Sequence, residues 1–164
     1  MAVRANTEHR LALALTDPDA ARDLIANMGG GGGGGTSVPS YSAQNKDTSS
    51  IPKGGACAVH SSGTGVVRAV GSATSTEAVG LAMAAFSPGF SESVQTGGLF
   101  ELADWTPVTG TVSLAAKALY FLDPAVPSKL TNAVPTSAGS ALQVVGVAVS
   151  STTLDLLIEP SLFL

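Results

Sequence analysis

From Ile51 onward the chain has no 3.6-residue apolar period; short β-prone runs are instead broken by Gly, Pro, Ser or Asp at intervals of about 8–12 residues. The runs are ACAVHS, GVVRAV, AVGLAMAAF, ESVQT, GLFELA, GTVSL, ALYFLD, KLTNA, LQVVGVAVS and TLDLLIEP. None is long enough for an amphipathic helix of several turns, so the spacing restricts residues 51–164 to an all-β fold, a small β-barrel or β-sandwich. Composition narrows the surface such a fold can present. The chain is 45% hydrophobic and only 12% charged, against about 25% charged in ordinary globular domains. Either small polar residues cover the outside or assembly does.

The strand runs contain an internal echo. GGACAVHSSGTGVVRAV, then EAVGLAMAAF and SESVQT, follow the same order of events as AAKALYFLDPAVPSKLTNA, then LQVVGVAVS and TTLDLLIEP. Each series has a strand entered after a small residue, a turn and short strand, a β-stretch with an internal glycine, and a closing strand. Gly80 and Gly146 are 66 residues apart, and Ala56 and Ala118 are 62 apart. A glycine inside a strand marks a bulge, a sharp bend or a close backbone approach. The reading is two related halves of one barrel, with chance likeness between small-residue strands as the alternative.

Residues 1–28 read as a separate arm. EHRLALAL alternates, placing Leu11, Leu13 and Leu15 on one face of a strand. TDPDAARDLIANMG follows with capping residues, Pro18 in the first turn and acidic residues at the positive end of the helix dipole. Leu24, Ile25 and Met28 belong to an apolar stripe that one short helix would present, and Gly29 is placed to end it. A strand and one helix make no core, so the arm must dock on the rest of the chain or on another molecule. Residues 29–50, beginning with seven glycines, are too poor in apolar groups to offset the entropy of ordering and read as a Gly/Ser-rich linker or strap.

The chemistry of most enzymes finds no support. A phosphate loop needs Lys and Ser/Thr after its last glycine and a following helix; here the glycines lead to Thr36-Ser37 and Pro39. His9 and His60 stand in no nucleophile motif, the single Cys57 reads as a small buried apolar residue, and the acidic residues lack calcium-loop spacing. No catalytic residue, metal or cofactor is therefore expected. The net charge is −4, with about −5 of it carried by residues 71–164 and no Lys/Arg cluster, which argues against nucleic acid. The absence of an 18-residue apolar stretch argues against a membrane span, and MAVRANTEHR lacks the apolar core of a signal peptide, so synthesis in the cytoplasm is expected.

Surface contact is the remaining theme. Phe86 and Phe90 flank the Pro-Gly turn in AAFSPGFSES, which reads as either a folded-over lid or an intersubunit contact. Leu162 and Phe163 end the chain on apolar residues that call for burial against a neighbour or the chain's own barrel. With Leu11, Leu13, Leu15, Leu24, Ile25 and Met28 they form the candidate set for contact with another subunit or another molecule.

Val94-Gln95-Thr96 with Gly98 and Phe100, Leu119-Tyr120 with Leu130-Thr131, and Val144-Val145-Gly146-Val147-Ala148 resemble the strand signatures of small capsid decoration (cement) proteins of tailed bacteriophages and the related head-fibre base domains. The likeness covers about residues 51–160. It implies a β-barrel that forms homotrimers on the outer capsid surface, with the major capsid protein as partner, and clamps neighbouring capsid subunits. The arm exceeds a minimal decoration domain and is similar to arms ahead of head-fibre domains. The implied protein is a structural virion component, not an enzyme; a tail or fibre module binding a host surface is the alternative.

Overall fold

A computed structural model describes residues 38–72 and 77–164. The arm, the glycine run and the candidate contacts Leu11, Leu13, Leu15, Leu24, Ile25 and Met28 lie outside the described residues. Within them the chain is all-β, as the spacing of the runs requires.

The first sheet contains β1 (Ser40–Gln44), β2 (Ala56–Val59), β3 (Val66–Arg68), β4 (Ala78–Ala82) and β5 (Ser91–Gln95), in the order β1-β5-β4-β2-β3. The second contains β6 (Gly98–Glu101), β7 (Leu119–Leu122), β8 (Leu130–Thr131), β10 (Val144–Ala148) and β11 (Thr153–Leu156), in the order β6-β11-β10-β7-β8. All neighbours within both are antiparallel. The two orders are one topology written twice, each half being first-fifth-fourth-second-third strand. A two-stranded ribbon of β9 (Ala141–Leu142) and β12 (Leu162–Phe163) sits outside both.

Register makes the equivalence specific. In the first half Ala56 faces Leu81 and Cys57 faces Gly80, after which the pairing jumps to Ala58 with Ala78. In the second, Leu119 faces Val147 and Tyr120 faces Gly146, after which it jumps to Phe121 with Val144. Both jumps insert one valine, Val79 or Val145, as a β-bulge beside the internal glycine. The glycines are required by close approach: a Cβ on Gly80 would sit 2.5 Å from the Gln95 carbonyl oxygen, and one on Gly146 would strike the carbonyl of Asp155, the residue equivalent to Gln95. The echo between Gly80 and Gly146 is thus a structural repeat. Ala56 corresponds to Leu119 and not Ala118, because pairing to the internal glycine fixes the frame, and the halves form two sheets where the sequence suggested one barrel.

Each half fills its own interior. Ala43, Cys57, Val66, Ala82 and Val94 line the inner face of the first sheet and are plugged by Ile51 and Phe86, which form a bridge pair from the flanking loops. Asn45, just past β1, bridges Val66, so the sheet curls back on itself. Phe100, Leu102, Tyr120, Leu130, Ala148 and Leu154 line the second half, capped by Trp105, Val108 and Leu114 from the long β6–β7 connection. That connection contains the helix α1 (Thr106–Thr109), with Pro107 in its first turn and Gly110 left-handed at its end. Trp105 is fully buried, donates its Nε1–H to the Thr152 carbonyl at 3.0 Å and tilts against Phe100 with centroids 6.0 Å apart. Full burial of each large side chain such as Ile51 or Leu81 contributes about 1.5–3 kcal/mol.

The outer face of the first sheet, through Ala56, Ala58, Ala78 and Leu81, joins the core of the second half. Buried polar groups fix this junction. Gln143 accepts from the Ala78 N–H at 2.8 Å and donates to its carbonyl at 2.9 Å. Ser128, held at φ 64°, donates its hydroxyl to the Ala56 carbonyl at 3.0 Å and its N–H to that of Ala69 at 2.8 Å. Gly71 donates to Asp123 and accepts from Ala141. Such pairing removes the cost of leaving amide groups unsatisfied in a buried seam.

The strand Ser40–Gln44 falls inside the segment expected to be linker. Its Ser-rich sequence has no apolar alternation to announce it; five registered pairs with β5 hold it in place.

Candidate interaction surfaces

The contact residues foreseen on the Pro-Gly turn separate. Phe86 does not protrude: it is only 3% exposed and belongs to the plug of the first half. The turn folds it inward because its N–H and carbonyl both pair with Ile51, and its carbonyl also accepts from the Asn45 side chain at 3.1 Å. Phe90, four residues on, is 69% exposed. It is presented by a fixed tip: Gln44 Nε2 donates to the Gly89 carbonyl at 2.6 Å, Gly89 donates to Asn45, and Asn45 donates to the Phe90 carbonyl. Asn45 is itself buried and holds the Ser49 carbonyl.

Asp47 organises the adjoining loop. It receives Arg68 through both Nε and Nη2, at 3.0 and 3.1 Å, and caps the N–H groups of Arg68 and Ser49. Partial burial pushes its carboxyl upward, but the Arg68 hydrogen bonds and charge outweigh this and hold it below the usual range.

Leu162 and Phe163 are exposed on β12, whose other edge is tied to β9 and to the pairs Gly139 with Leu164 and Leu164 with Ser140. Just before them, Ser161 donates its hydroxyl and its N–H to Glu77, which holds that carboxyl below its ordinary value. The terminal segment is therefore strapped to the start of β4 while its apolar side chains face outward.

A further surface was not foreseen. On the outer face of the second sheet, Leu99, Asp155, Val147 and Leu119 lie side by side across β6, β11, β10 and β7. Leu99 and Leu119 are exposed, Val147 and Asp155 half-buried. Alternation in the sequence signals two unlike faces for these strands; which of them is covered depends on the stacking of the halves.

The residues capable of chemistry do not converge. Burial pushes the Cys57 thiol up to about 12, so it is held as a thiol. The His60 Nδ1 lies 2.8 Å from the Ser62 hydroxyl on an exposed turn. Among the described residues no group of three or more His, Cys, Asp or Glu is placed to hold a metal ion, and no helix is long and apolar enough to cross a membrane. An open groove of about 280 Å³ beside Tyr120, Leu114 and Leu130 is otherwise lined by Thr109, Thr111, Ser113, Ala115, Thr131 and Asn132.

What fold and surface define together is a duplicated, antiparallel all-β protein with outward-facing apolar side chains on well-tied strands and turns. Among solved structures, the chain is similar to the head fiber gp8.5 N base of bacteriophage phi29, at 15% identity and a TM-score of 0.45, over 74% of this chain and 94% of that one. No protein-family model matches the chain, and no curated protein matches it.

Proposed function

We propose that the protein is a structural component of a bacteriophage virion that binds the outer capsid surface, self-associates there, and stabilises the head by clamping neighbouring capsid subunits. The observation that carries the reading is the set of large apolar side chains, Phe90, Leu162 and Phe163, held outward by fixed backbone on a body with few charges. Such side chains in a polar rim are the ordinary anchors of protein contacts. The strand signatures that resemble decoration and head-fibre base proteins lie on paired strands and support the reading. Leu119-Tyr120 and Leu130-Thr131 belong to paired strands β7 and β8, and Val144–Ala148 is the central bulged strand. Weak individual contacts suffice for this role, because many copies act on one lattice and their interface free energies combine.

The test is pelleting of purified protein with capsids of the phage that encodes it, from which the native copies have been stripped. Saturable co-sedimentation is expected, with a loss for Phe90→Asp combined with Phe163→Asp. Absence of co-sedimentation, or unchanged binding of that variant, would overturn the reading.

A further inference from the structure

The repeat allows each exposed apolar residue to be compared with its counterpart in the other half. Where the halves meet, the outer face of the first contributes Ala56 and Leu81, both 0% exposed, and the inner end of the second contributes Phe100 and Leu122, at 3% and 1%. The counterparts of Ala56 and Leu81 on the outer face of the second half are Leu119, 46% exposed, and Val147, half-buried. The counterparts of Phe100 and Leu122 in the first half are Tyr41, 38% exposed, and Val59, 46% exposed. Both surfaces that meet inside the chain therefore occur a second time, each with apolar side chains uncovered: Leu119 on one, Tyr41 and Val59 on the other.

Side-chain sizes fit this pattern. Inside the chain the outer face is small, with Ala56, Ala58 and Ala78, and the opposing end is large, with Phe100, Leu122 and Leu130. At the free surfaces the outer face is larger, with Leu119 and Val144 at the positions of Ala56 and Ala78 and the buried Phe121 at that of Ala58, while Val59 stands at the position of Leu122 in the opposing end. The exchange of Ala56 for Leu119 on one side and of Leu122 for Val59 on the other runs in the direction that close packing of an equivalent joint demands.

We infer that copies of this chain associate head to tail, the Tyr41 and Val59 end of one copy seating on the Leu119 and Val147 face of the next, and that this joint repeats the one between the two halves. The occupant is a second copy because the chain itself contains the matching surface. The contact is heterologous, so it closes into a ring when the rotation per copy permits and otherwise propagates. This specifies the surfaces behind the self-association proposed above and does not depend on capsid binding.

Complementation of two single variants tests it, using the full-length protein and sedimentation velocity. Val59→Asp damages only one surface and Leu119→Asp only the other; both side chains are already near half exposed, so folding should survive, and the lysine variants at the same positions serve as duplicates checked by circular dichroism. The wild type is expected to sediment as an oligomer and each variant as a monomer of 16.2 kDa. An equal mixture of the two variants should yield a species of twice that mass and no larger, because one intact joint remains. A monomeric wild type, variants that oligomerise like the wild type, or a mixture that stays monomeric would overturn the inference. Capsid pelleting of the same variants separates this outcome from failure of the virion reading.

Discussion

Replacing Gly146 by alanine should be among the costliest single-methyl changes in the molecule. The added Cβ would lie far inside 3.0 Å of the Asp155 carbonyl oxygen and 3.0 Å from Leu154 Cγ. A backbone oxygen has no rotamer to give, so β10 and β11 must separate at the Gly146–Leu156 and Val147–Asp155 pairs. Overpacking and weakened ladder bonds together cost about 3 kcal/mol. The lower entropy of the unfolded alanine chain offsets about 0.5–1 kcal/mol of this. The net loss of about 2–2.5 kcal/mol corresponds to a fall of about 4–10 °C in Tm for a chain of this size. Thermal unfolding can be followed through Trp105, the single tryptophan, fully buried beside Phe100. Gly80→Ala should lose a similar amount, since its Cβ meets the equivalent carbonyl. The control is Gly89→Ala, where φ is +82° but the space is open; backbone strain alone costs about 1–2 kcal/mol there. If Gly146→Ala lost no more than Gly89→Ala, the account of the bulged glycine strand as a steric necessity would be wrong.

Gln143→Leu removes the amide that satisfies both the N–H and the carbonyl of Ala78 in the seam between the halves, and should cost about 2–4 kcal/mol by denaturant unfolding; a loss below about 0.5 kcal/mol would mean the seam is wet. Cys57, inaccessible and with its thiol raised to about 12, should react with a chromogenic disulfide at neutral pH only as fast as the protein unfolds, whereas rapid labelling would contradict its burial. The carboxyl of Asp47 is lowered on folding, so its contribution to stability is present above the unfolded value of 3.8 and is lost as pH falls through the folded one. Asp47→Asn should therefore be destabilised at pH 7 and lose less stability than the wild type as pH falls below 3.8; parallel curves would remove Asp47 from the acid response.

The sequence made the strand runs and the glycine echo legible because both are local: turn residues punctuate each run, and Gly80 and Gly146 stand in similar strands. What it left hidden depends on distant partners. Ser40–Gln44 becomes a strand only through β5, and nothing in SYSAQ signals it. Phe86 and Phe90 are alike in sequence and opposite in environment, because Ile51, far from them in the chain, supplies the backbone bridge that draws Phe86 inward. Ala56 is matched by Leu119 and not by Ala118 because pairing to the internal glycine, through Cys57 and Tyr120, sets the frame, and likeness of small residues does not reveal that pairing. The row through Leu99, Val147 and Leu119 shows the same limit, since alternation marks two faces and only the stacking of the halves decides which one is buried.

The reading of this chain as a capsid-surface protein is tested most directly by counting its copies in purified virions of the phage that encodes it, by quantitative mass spectrometry against the major capsid protein. The expected result is a copy number that scales with the capsid lattice and a loss of the protein together with the heads when heads and tails are separated. A handful of copies travelling with the tails, or none in the virion, would contradict it.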